Sequence, residues 1–169
     1  MGLFSRKRQD AGARDDTADR SSGIAADGTI PLEVFEGRPV TSPLTDVERQ
    51  RIADGLARLV ERGVDVDDLD SIGAGFDAAR ARWLADPTGE GADVIVELLG
   101  VAIGEHLARH SARQWAVVTD VFGTDLGLAS ARAETVVVPH NLISARWMRG
   151  ETGWVPGVVG HLVRLAPRR

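Results

Sequence analysis

The chain has 169 residues, of which 43% are hydrophobic and 27% charged, with a net charge of −5 and no cysteine. That length suits one domain with a proper core plus a tail, and the missing cysteine excludes disulfides and thiolate metal sites. Acidic residues outnumber basic ones up to residue 90 and the rest is close to neutral, so no segment builds the positive field that a phosphate backbone demands, and nucleic acid is not an expected partner.

The start, MGLFSRKRQ, offers only Leu3 and Phe4 where a secretory signal needs a continuous apolar stretch of roughly 7–15 residues. Nowhere does the chain reach the roughly 20 apolar residues of a membrane span. The expected location is the cytoplasm. Leu3, Phe4 and Arg6-Lys7-Arg8 leave room for a weak membrane-surface contact. Arginine heavily outweighs lysine and Ala, Gly and Asp abound, the bias of a high-GC bacterial genome of actinobacterial type.

Residues 1–42 are rich in Asp, Arg, Ala, Gly and Ser without a sustained apolar period, which predicts a disordered tail or linker. Within it, Ile30-Pro31-Leu32-Glu33-Val34-Phe35 is an apolar run with the makings of a docking segment. The domain is expected over 43–169. Thr45 with Glu48 forms a capping box, followed by Val47, Ile52, Leu56, Leu59 and Val60 at helical spacing and Gly63 as a stop. A second helix is predicted over Leu69 to Ala85, with Phe76, Ala79 and Trp83 on one side and Asp68 or Asp70 as its cap. A third, from about Ala92 to Arg109, is apolar around most of its circumference and is expected to be the central buried helix. Gly100 and Gly104 share one of its faces and predict a close approach by a neighbouring element.

The period then shortens. Gln114 to Thr119, Asp125 to Ala129 and Glu134 to Val138 are predicted as three short strands in an antiparallel meander. A helix from His140 to Arg149 stopped by Gly150, and a last one from about Pro156, complete the order. The predicted fold class is α+β, with helices packed on one face of a small three-stranded antiparallel meander.

Few residues suggest chemistry. His106 and His110 form H-x-x-x-H on the third helix, but the zincin glutamate is missing from the motif. Two polar residues near a helix C-terminus, where histidine suits the dipole, are the simpler account, and no metal site is expected. Asp65 to Asp70 misses the third and last ligand positions of a calcium loop. Gly73-Ala74-Gly75-Phe76-Asp77-Ala78 matches a dinucleotide fingerprint but lacks a preceding buried strand. No cofactor is expected. Asp120 and Asp125 flank Val121-Phe122-Gly123-Thr124 and are read as the shoulders of a hairpin turn, with an acid site as the alternative. Arg146, Trp147 and Arg149 with Trp154 are the residue types of binding hot spots and form the candidate binding patch; the bland alternative is core tryptophan beside solvated arginine.

From about Asp93 onward, Glu97-Leu98-Leu99-Gly100-Val101-Ala102-Ile103-Gly104, Trp115 with Val117 and Val118, Asp120 to Leu126, and Val138-Pro139 through Ile143-Ser144 to Gly150-Glu151 carry a resemblance. Over about residues 92–165 the chain resembles a bacterial family of unknown function, domain of unknown function 3806. The resemblance implies a small α+β domain and brings no catalytic residue. The expected function is therefore a non-enzymatic protein-interaction, accessory or immunity-like role with another protein as partner. The alternative is a hydrolase using Asp120 or Asp125 with His106 or His110, which requires those side chains to converge.

Overall fold

A computed structural model describes residues 38–130 and 135–168. The apolar run at 30–35 and the basic start of the chain lie outside the described residues. The element order is β1 (Val40–Ser42), α1 (Asp46–Glu61), α2 (Leu69–Ala85), α3 (Ala92–His110), β2 (Arg113–Asp120), β3 (Gly123–Ser130), β4 (Val136–Val137), α4 (Pro139–Arg149) and α5 (Val155–Leu165).

The helices start where their caps dictate. Thr45 and Glu48 exchange hydrogen bonds as a capping box at α1, and Asp68 accepts the Asp70 N–H at 2.9 Å to open α2. In α1 only part of the predicted apolar stripe turns inward: Ile52 and Leu59 are buried, whereas Val47 and Val60 are about three-quarters exposed. Gly73 and Gly75 lie inside α2, where Gly73 faces Val155 and Pro156. Gly75 faces Val64 of the loop before the helix.

Helix α3 is the hub. Residues from Ile95 to Leu107 are buried almost without interruption, and α1, α2, α4, α5, β2 and β3 all pack on it. Its two glycines are contact points. The Pro139–His140 backbone passes 3.5 Å from where a Cβ at Gly100 would lie, and the Trp115 ring occupies the space of a Cβ at Gly104. The end of α3 is tied down from far along the chain. Arg168 donates to the carbonyls of Ser111 at 2.9 Å and Ala108 at 2.6 Å, and the Ala112 N–H donates to the Ala166 carbonyl at 2.7 Å.

The sheet is antiparallel in the order β1-β2-β3-β4, four strands rather than the expected three. The additional strand, Val40–Ser42, falls within the stretch predicted as tail and pairs with Val117 to Thr119 of β2. Three residues are too few to display an alternating pattern, so only the pairing partner reveals them. At the other edge β4 is Val136–Val137, opposite Leu128 and Ala129, and Glu134 of the predicted strand lies outside the described residues. Trp115, Leu126 and Leu128 point to the helical layer, where α3 and α4 cover the sheet.

Candidate interaction site

The β2–β3 hairpin is paired over its full length, from Arg113 opposite Ser130 to Asp120 opposite Gly123. Only Val121 and Phe122 remain as the connecting loop. The turn is tighter than the spacing of the two aspartates implied. Asp120 does hold it, its carboxylate accepting the Phe122 N–H at 2.8 Å. Gly123, at φ 132°, supplies the positive angle that lets the chain return. Asp125 already belongs to β3, opposite Val118, and its carboxylate accepts the neighbouring Leu126 N–H at 2.7 Å. The Thr119 and Thr124 hydroxyls, 3.0 Å apart, add a rung just below the tip.

Two-residue hairpin loops favour Asn-Gly, Asp-Gly or Gly-X, because those residues tolerate the backbone angles and water. Here the loop presents an aromatic and a β-branched residue. Phe122 is 92% exposed and Val121 62%. Burying a phenylalanine ring contributes about 1.5–3 kcal/mol, which this exposed pair at the end of a fully paired hairpin forgoes. The sequence signal was present in Val121-Phe122, but the neighbouring aspartates drew attention to themselves.

Beside the hairpin, Glu97, Gly100, Trp115, Asp125, Pro139 and His140 border a cleft with about 20 Å³ of free space, room for about one water. Arg51 spans its mouth to Glu97 at 2.7 Å, and an open groove of about 700 Å³ continues between α1 and α3. The segments that carry the family resemblance meet here. Gly100 admits the α4 backbone and Gly104 admits Trp115, so these marks explain packing between α3, the hairpin and α4.

The histidines face elsewhere. The buried His106 donates from Nδ1 to the Val66 carbonyl at 2.8 Å. His110 donates from Nε2 to Asp67 at 2.9 Å. Their rings lie 4.4 Å apart. Arg109 joins Asp67 at 2.7 Å and Glu105 at 2.8 Å, and Glu105 also accepts the Trp115 indole N–H at 3.1 Å. Burial holds the His106 imidazole below its ordinary value, with the neighbouring His110 acting in the same direction; the Val66 hydrogen bond and the Asp67 and Asp68 carboxylates act against it. The hydrogen bond from His110 to Asp67 is the main cause that lowers the Asp67 carboxyl, followed by Arg109. Thus His106 and His110 fasten the α1–α2 loop while Asp120 and Asp125 shape the hairpin, and the two pairs share no hydrogen-bond partner. Among the described residues no three His, Asp or Glu side chains cluster closely enough to hold a metal ion.

The arginine–tryptophan patch points inward. Trp147 and Trp154 are 5% and 8% exposed and each packs edge-on against Phe76, at 5.8 and 5.5 Å. Arg146 stacks its guanidinium 4.5 Å from the Trp154 ring, and Glu151 draws both Arg146 and Arg149, at 3.6 and 3.4 Å. Arg149 and the strongly exposed Met148 are what this segment shows to solvent.

No helix among the described residues is long and apolar enough to cross a membrane. No curated protein and no solved structure matches the chain. Residues 80–157, running from the second half of α2 to the first turn of α5, match the model of the family described as Domain of unknown function (DUF3806).

Proposed function

We propose that this chain is a non-enzymatic interaction module of the bacterial cytoplasm, an accessory or immunity-like protein that engages another protein through the tip of its β2–β3 hairpin. The observation that supports this reading is Phe122, 92% exposed beside an exposed Val121, on a loop pinned by Asp120. A rigid tip loses little conformational freedom on docking, so more of the burial energy of the ring appears as affinity. Large, well-held aromatic side chains are the residues that dominate interfaces of this kind. Asp120 and Asp125 flank the apolar pair, so the complementary pocket has an apolar floor and a neutral or basic rim.

The test compares the full chain with its Phe122→Ser variant in co-purification from native lysate, followed by titration of the recovered partner. The ring's burial energy corresponds to a loss of affinity of about tenfold or more. Recovery of the same partner with equal affinity by both proteins, or of none by the unaltered chain, overturns the reading.

A further inference from the structure

Strand β3 has a neighbour along only part of its outer edge. The Ser130 N–H donates to the Thr135 carbonyl at 3.2 Å, and β4 then faces Ala129 and Leu128. Pro139 carries the chain away into α4, where the His140 backbone approaches Gly100 of α3. Among the described residues no strand lies beside Gly123 to Gly127 on that side. Backbone groups alternate sides along a strand, and the Ser130 N–H points to β4, so the N–H groups of Thr124 and Leu126 point out of the same edge. The adjacent hydroxyls of Thr119 and Thr124 agree with this phase, since the closest side chains mark pairs that exchange no backbone hydrogen bonds.

An open edge is a template for pairing with another strand, and the same edge of a second copy is always at hand. In an antiparallel pair about a two-fold axis, residues that point outward must face residues that point outward. A register centred on Leu126 would need Leu128, which already faces Val137. One centred on Thr124 would run into the Val121-Phe122 turn. The register that remains sets Thr124 opposite Leu126 of the second copy and Asp125 opposite its own counterpart, with Cβ atoms about 4.5–5.5 Å apart.

Asp125 obstructs that register in two ways. Its carboxylate accepts the Leu126 N–H at 2.7 Å, so one of the two outward donors of the open stretch is already taken. It would also meet a second carboxylate face to face, and like charges directly opposite each other destabilise a strand pair. The side chain of Leu126 is held in the helical layer, so the strand has no freedom to turn and offer a different edge. We propose that Asp125 keeps the open edge of β3 from pairing with the same edge of a second copy, and that this edge becomes a self-association surface once the carboxylate is removed. The role is separate from whatever the hairpin tip engages.

Sedimentation equilibrium on the full chain reads the effect. Asp125→Ala should form dimers about tenfold or more tightly than the unaltered chain, because a donor is freed in each copy and the repulsion is lost. Amide hydrogen exchange locates the surface: in Asp125→Ala the Thr124 and Leu126 N–H groups should exchange more slowly as concentration is raised. Self-association no tighter than that of the unaltered chain, or a dimer in which those two amides exchange as they do at high dilution, overturns the proposal. Should Asp125→Ala fail to fold, Asp125→Asn decides, because it keeps an acceptor for the Leu126 N–H and loses only the charge. Tighter self-association with the same two amides protected then supports the proposal, and self-association no tighter than in the unaltered chain overturns it.

Discussion

At the scale of single residues, Gly104 shows how much of this fold depends on side chains that are absent. A Cβ at that position would overlap the Trp115 ring, whose indole N–H is fixed on Glu105. Alanine in a helix interior normally gains about 1 kcal/mol over glycine. Here the overlap reverses the sign, because overpacking of a tight contact costs about 1–3 kcal/mol and the atoms met belong to a large ring held on Glu105. Gly104→Ala should therefore destabilise the protein, with a lower urea midpoint and an altered Trp115 fluorescence environment; a stabilised variant would show that the ring yields easily. The glycine was legible in the sequence as a close-approach site, but the identity of its neighbour was not. Trp147 and Trp154 were legible only as one of two alternatives. The residues around them left both a binding surface and a core position open, and packing against Phe76, about 70 residues earlier in the chain, and of Trp147 against Trp83 puts them in the core.

At the scale of elements, local chemistry set most boundaries and long-range pairing set the remainder. Helix α2 begins at Leu69 because Asp68 satisfies the free N–H of its second residue, Asp70. Asp68→Ala should cost about 1 kcal/mol, read as a fall in thermal midpoint without a change in the slope of denaturant unfolding. A null effect would mean that the loop's other ties, among them the Asp65 N–H on Ser71 at 3.0 Å, organise it without the cap. The long helices were legible because a 3.6-residue period repeats several times within each. Strand β1 was not, since Val40–Ser42 contains no repeat and owes its state to Val117 to Thr119. The hairpin loop is two residues shorter than the Val121–Thr124 turn expected, for a chemical reason. Gly123-Thr124 has better turn character than Val121-Phe122, yet register pairing of Asp120 with Gly123 decided the turn. The role of His106 was not legible, its partner Val66 lying 40 residues away.

At the scale of the molecule, one helix makes the packing a single system. Every other helix and both long strands contact α3, so no subset of the described elements retains a complete core without it. Loss of helical circular dichroism and of tryptophan fluorescence should therefore follow superimposable curves in denaturant. The reporters sit in different places, Trp115 between sheet and α3 and Trp147 and Trp154 among α2, α4 and α5, which gives the comparison its force. Curves separated along the denaturant axis would show that the sheet and the helical layer unfold independently. The family model spans 80–157 and leaves out α1 and β1, although α1 packs along α3 and β1 completes the sheet.

The arginine that fastens the end of α3 also imposes an order in time. Arg168 reaches back 57 residues to the Ser111 carbonyl and 60 to that of Ala108. A ribosome adding roughly 5–20 residues per second needs about 3–11 s to make that span. During that interval the most extensively buried helix of the chain is already synthesised, while the Ala108 and Ser111 carbonyls at its end and the α5 side of its surface lack their later partners. The growing chain must shelter α3 before it can finish it, so the hub of the finished protein is the most vulnerable segment of the unfinished one.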